Sequence, residues 1–122
     1  MTIFTKIINN EIPSHKVYED ENFIAILDIS PKQTGHTLVI PKNVKENVLL
    51  EDERTTADLF KLSKVISNHL MDKLGASGIK WVANNGKSAG QEVFHTHIHL
   101  IPYYDDNREA EVSEDILKIV AM

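Results

Sequence analysis

Leu59, Leu62, Ile66, Leu70 and Leu74 return at steps of three and four residues, which places them on one face of a helix of roughly five turns. Thr55-Thr56-Ala57-Asp58 supplies a Thr-x-x-Asp start signal and Gly75 a stop. The segments on either side of this helix read as strands. Lys16–Glu19 and residues 22–28 are β-branched or aromatic and are separated by Asp20-Glu21, the pattern of a tight hairpin. Thr37-Leu38-Val39-Ile40 follows the breaker-rich Pro31-Lys32-Gln33-Thr34-Gly35 and stops at Pro41. After the helix, residues 79–83 read as a strand, residues 84–90 as a loop and residues 93–101 as a further strand. Hairpin-joined strands before a single long helix predict an α+β domain with an antiparallel sheet, not a wound α/β sheet.

Composition narrows the function. A chain of 122 residues, 42% of them hydrophobic, suits one domain around one core. With 18 acidic and 13 basic residues, the net charge of -5 excludes a protein that holds nucleic acid by charge alone, so any phosphate must be bound locally. Apolar runs are short and the N-terminus lacks the basic and long apolar regions of a signal peptide, so no membrane contact and a cytoplasmic location are expected. The absence of cysteine rules out disulfides, a thiol nucleophile and thiolate-ligated metals. The acidic stretch 105–115 reads as a solvated tail with a short helical end.

Three of the six histidines, His95, His97 and His99, alternate within five residues. On a strand they share one face at spacings of about 6.6 Å, with Thr96, Ile98 and Leu100 on the other. Three readings compete: a decorated polar face, a zinc site built on His-x-His, and covalent catalysis in which a neutral imidazole attacks phosphorus. The third needs a nucleophile flanked by groups that fix its tautomer, and His97 stands between two such neighbours. The preceding loop favours phosphate, because Gly86 and Gly90 allow close backbone approach while Asn84, Lys87, Ser88 and Gln91 offer donors.

The run His95-Thr96-His97-Ile98-His99-Leu100-Ile101 resembles the signature of the histidine triad (HIT) superfamily, alternating histidine with apolar residues. Similarity continues through Asn9-Asn10-Glu11-Ile12-Pro13-Ser14, Val17-Tyr18-Glu19-Asp20, Ala25-Ile26-Leu27-Asp28-Ile29, Gly35-His36-Thr37-Leu38-Val39-Ile40-Pro41-Lys42 and Ala89-Gly90-Gln91. The chain is most similar to bacterial members of the branch related to phosphoramidases. The resemblance implies a five-stranded antiparallel sheet with one long helix and a short N-terminal one, continued across a homodimer. It implies a HIT domain over 1–108 and a C-terminal tail over 109–122. It implies nucleotide hydrolysis or transfer at the α-phosphate of a nucleoside phosphoramidate or (di)nucleoside polyphosphate, through a nucleotidyl intermediate on His97. By the same match His99 contacts phosphate, His95 orients His97 and His36 completes the site. Asp28 would bond the ribose hydroxyls, Ile29 would line the base pocket, and Asn84, Gly90 and Gln91 would lie beside the phosphate. A nucleotide-binding sensor with little turnover and a zinc-dependent hydrolase are the alternatives.

Two departures from the family pattern matter. Thr2-Ile3-Phe4-Thr5 and Pro41-Lys42-Asn43-Val44 stand where many bacterial relatives carry Cys-x-x-Cys and a histidine that hold structural zinc, so no metal and no cofactor are expected. Glu92 stands where the phosphoramidase branch has a serine, and its parity with Phe94 and Thr96 predicts that it faces away from the site. An attacking imidazole also predicts that activity changes between pH 5 and 8.

Overall fold

The computed structural model describes residues 1–122. A short helix α1 (Ile3–Ile8) leads into β1 (Lys16–Glu19), β2 (Phe23–Leu27) and β3 (Thr37–Pro41); the long helix α2 (Glu53–Leu74) is followed by β4 (Gly78–Val82), β5 (Ile98–Tyr103) and α3 (Glu114–Val120). The strands form one sheet in the order β1-β2-β3-β5-β4, with every neighbouring pair antiparallel. The hairpin between β1 and β2 is closed by Asp20, whose Oδ1 accepts from the amides of Asn22 and Phe23 at 2.8 Å each.

Both faces of the sheet are covered. On one, Val39, Ile98 and Leu100 meet Leu59, Ile66 and Leu70 of α2, each burial worth about 1.5–3 kcal/mol against exposure. On the other, Ile24, Ile26, Leu38 and Ile40 meet Phe4 and Ile7 of α1. β2 and β3 lie between these layers and are buried at every position, which explains their near-continuous apolar sequences.

The long helix begins a turn earlier than its expected start at Thr55. Asp52 is the N-cap, its side chain accepting from the Thr55 amide at 2.7 Å, so the helix runs 22 residues to the left-handed Gly75 at φ 69°. The final strand starts at Ile98 instead of 93. Its ladder with β3 covers only Thr37 to Val39, because Pro41 has no N–H to extend it; residues 93–97 run beside the 45–46 segment, with the Thr96 amide bonded to the Lys45 carbonyl at 2.9 Å. The strand also runs on to Tyr103, and β4 lies one residue earlier than expected.

Residues 105–111 are exposed, as their acidity suggested, but the helix beyond them is docked. Ile116 and Val120 enter the α2 core, His69 Nε2 lies 2.9 Å from the Val120 carbonyl, and the Met122 amide donates to the Val17 carbonyl at 2.8 Å. No helix is long and apolar enough to cross a membrane.

Candidate active site

A cavity of about 720 Å³ opens on the α1 face of the sheet. Its apolar wall comes from Ile3, Phe4, Ile7, Ile12, Ile26 and Leu38, and its polar wall from Asp28, Lys32, His36, Asn84, Glu92, His97 and His99. Of the residues singled out in the sequence, His36, His97, His99, Asp28, Ile29, Asn84 and Gly90 line it together.

His95 and Gln91 are close to the cavity without lining it. His95 is fully buried, with Nε2–H donating to the Pro41 carbonyl at 2.7 Å, and it reaches the site through its own carbonyl, which lies 2.7 Å from His97 Nδ1. Gln91, expected beside the phosphate, spends its amide on the backbone. Its Nε2 donates to the Glu46 and Val93 carbonyls, and its Oε1 accepts from the Gly86 amide at 2.8 Å. It therefore shapes the loop in which Gly86 and Gly90 adopt φ of 98° and 92°.

Hydrogen bonds set the tautomers. The His95 carbonyl can only accept, so His97 carries its proton on Nδ1 and presents a bare Nε2. The Lys32 amide donates to His36 Nδ1 at 3.1 Å, so the proton of His36 sits on Nε2. That Nε2–H faces His99 Nδ1 at 3.0 Å and lies 3.5 Å from Asp28 Oδ2. His99 must then keep Nδ1 bare and carry its proton on Nε2. A lone pair on His97 and an N–H on His99 are thus held side by side, with ring centroids 4.9 Å apart.

Burial keeps these rings neutral. Burial, only partly offset by the bond to the His95 carbonyl, holds the His97 pKa down at about 4. Burial likewise lowers His36 and His99; for both, Asp28 opposes the shift and Lys32 adds to it. Phe4 stands edge-on to His97 at 4.9 Å and supplies part of the apolar surround.

Asp28, His36 and His99 each offer a ligand atom within 4.8 Å of the others, close enough to frame a metal ion. The Lys32 amide on His36 Nδ1 opposes that use, because it requires the proton on the nitrogen that would have to ligate. Asp28 Oδ1 caps the turn by accepting from the Ser30 amide at 2.8 Å, and the residue lines the cavity.

One charged wall residue escaped the sequence reading and another was placed wrongly by it. Lys32 is the only lysine or arginine in the lining, and no spacing in the sequence ties it to His36. Glu92 lines the cavity instead of facing away: residues 91–97 are not strand, so strand parity does not apply to it.

Comparison with known proteins identifies the family. The HIT domain family model covers residues 9–106. A HIT-like protein of Borreliella burgdorferi is 48% identical over 108 residues, 86% of this chain and 77% of that protein. The crystal structure of a hypothetical histidine triad nucleotide-binding protein from Sulfolobus tokodaii superposes with a TM-score of 0.90 at 42% identity, covering 96% of this chain and 87% of that one. Adenylylsulfatase HINT3 of Arabidopsis thaliana is 42% identical over 102 residues, 82% of this chain but 51% of that protein. A family model over most of the chain, a relative at 48% identity and a fold likeness at a TM-score of 0.90 agree: the chain belongs to the HIT family.

Proposed function

We propose that this protein is a cytoplasmic nucleotide hydrolase or nucleotidyl transferase acting at the α-phosphate of a nucleoside phosphoramidate or (di)nucleoside polyphosphate. The observation that carries the reading is the pairing of a bare, neutral His97 Nε2 with a His99 Nε2–H in one cavity wall.

His97 Nε2 attacks phosphorus, a P–N bond forms, and the bond to the leaving group breaks; the departing group takes a proton from solvent. The Nδ1–H of His97, held on the His95 carbonyl, disperses the positive charge that the ring gains. His99 Nε2–H bonds the phosphoryl oxygens or the leaving atom as charge builds there. Water then attacks the phosphorus of the nucleotidyl-histidine, returning neutral His97, a nucleoside monophosphate and a proton. Asp28 accepts from the ribose hydroxyls, and Ile29 with the apolar wall takes the base.

The relatives support this class: the Sulfolobus protein is described as nucleotide-binding and the Arabidopsis protein as an adenylylsulfatase. Edge strand β4 carries an exposed Trp81 set edge-on to Phe60 of α2, with ring centroids 5.9 Å apart, which supports a second copy continuing the sheet. Turnover of an adenosine phosphoramidate and of dinucleoside polyphosphates by the parent and by His97→Ala tests the reading. The parent should be active and the variant reduced by at least about 100-fold; equal rates remove the chemistry.

A further inference from the structure

Three hydrogen bonds converge on a residue that no part of the proposed reaction uses. Thr34 is almost fully buried. Its Oγ1 accepts from the Glu111 amide at 3.0 Å and donates to the Glu109 carbonyl at 3.3 Å. Its own carbonyl accepts from the Tyr104 hydroxyl at 2.6 Å. Tyr104 is in turn covered by the Arg108 guanidinium, 3.8 Å from the ring centroid. The exposed 105–111 stretch is thereby strapped onto the loop that leads into β3.

Thr34 stands two residues before His36, and the residue between them leaves no slack. Gly35 has φ +88°, and a Cβ there would lie 2.4 Å from Leu74 Cδ1 and 3.3 Å from Pro102 Cγ. The same short loop is closed by the His36 amide on the Gln33 carbonyl at 3.1 Å. Its first residue, Lys32, supplies the amide that meets His36 Nδ1. Anchoring Thr34 therefore holds both the ring and the N–H that selects its tautomer.

That selection has a chemical consequence. With the Lys32 amide in place, His36 donates from Nε2 and His99 presents an N–H to the cavity. If the loop loosens and the proton moves to His36 Nδ1, His36 Nε2 becomes an acceptor. His99 must then put its proton on Nδ1 and turn a lone pair toward the phosphate, replacing attraction by repulsion. We infer that Thr34, braced by Tyr104, is a positioning residue that keeps His99 a hydrogen-bond donor to the substrate. The inference about rate rests on the function proposed above; the inference about tautomer does not.

Long-range ¹H–¹⁵N correlation NMR on the full chain reads the ring tautomers directly. Thr34→Val and Tyr104→Phe remove the hydroxyls while keeping the shapes, and Thr34→Ser keeps the hydroxyl. In the parent and in Thr34→Ser, His36 should hold its proton on Nε2. In Thr34→Val and Tyr104→Phe the Nδ1–H form should appear, with kcat on an adenosine phosphoramidate falling by about 100-fold and KM staying within about threefold. A parent-like tautomer in both hydroxyl-deletion variants overturns the inference, as does a kcat loss that Thr34→Ser shares in full. The NMR result is read whether or not any nucleotide is turned over, so failure of the proposed reaction leaves it standing.

Discussion

Burying His97 should make both stability and rate respond to acid in a way that an exposed histidine cannot. The ring's pKa falls from 6.5 to about 4 in the folded chain, chiefly through burial. Protonating it there costs about 3 kcal/mol relative to the unfolded chain, at about 1.4 kcal/mol per pH unit. Above pH 6.5 neither state carries the proton. Between 6.5 and about 4 the unfolded chain binds it and the folded chain does not, so stability falls as pH falls through this window and levels off below it. Urea unfolding of the parent and of His97→Gln, compared at pH 7.5 and 4.5, isolates this ring. The parent's stability relative to the variant should drop by about 2–3 kcal/mol between the two. The rate should follow the same group. At pH 5 a ring with a pKa of about 4 is roughly nine-tenths neutral, against a few per cent for 6.5, so kcat should be flat from pH 8 to about 5.5 and decline below. This moves the acid limb below the pH 5 to 8 range that an unperturbed imidazole suggests. A stability gap that changes by less than about 0.5 kcal/mol, together with a rate that halves near pH 6.5, would refute the claim that burial sets this ring's proton.

Gly35→Ala should lower stability by about 2–4 kcal/mol, because the new methyl meets Leu74 at 2.4 Å on a left-handed backbone; a thermal midpoint within a degree of the parent would contradict it. Asp28→Asn retains the Ser30 turn but weakens the acceptor for ribose. KM for a ribonucleotide substrate should rise about 10-fold while that for its 2′,3′-dideoxy analogue stays unchanged, and an equal rise for both would assign Asp28 to the turn alone. Glu92→Gln removes one of two carboxylates from the cavity wall. Turnover of a dinucleoside polyphosphate should improve several-fold more than turnover of a phosphoramidate at low salt, and the difference should shrink as salt screens it. Identical responses of the two substrates would place Glu92 outside their path.

The parts of the fold written in short-range patterns were legible in the sequence. The apolar steps from Leu59 to Leu74 are set by helix geometry, and the hairpin by Asp20, whose carboxylate makes the turn. The helix start was misplaced because Asp52 caps one turn before the Thr55 signal. The histidine alternation located the faces in part: Ile98 and Leu100 enter the α2 core and His97 and His99 line the cavity, but His95, expected on the same face, is fully buried outside the lining. It did not reveal that the backbone leaves the ladder before Ile98, a consequence of Pro41 in the neighbouring strand. The tautomers were beyond reach. They rest on His36 meeting His99 across 63 positions and on the backbone amide of Lys32, whose placement depends on tertiary packing and not on residue type. Glu92 and Gln91 show the same limit: parity does not hold for Glu92 because residues 91–97 are not strand, and the Gln91 amide is directed by its bonds to the Glu46 and Val93 carbonyls and the Gly86 amide.

The central claim is a covalent nucleotide on one nitrogen. Rapid mixing with an adenosine phosphoramidate, quenching at alkaline pH where phosphohistidine survives, and peptide mapping by mass spectrometry tests it most directly. The expected result is one adenylyl group on the peptide carrying His97, absent from His97→Ala and present in Glu92→Gln. Steady turnover with no adduct on that peptide, or with the adduct on another residue, would contradict it.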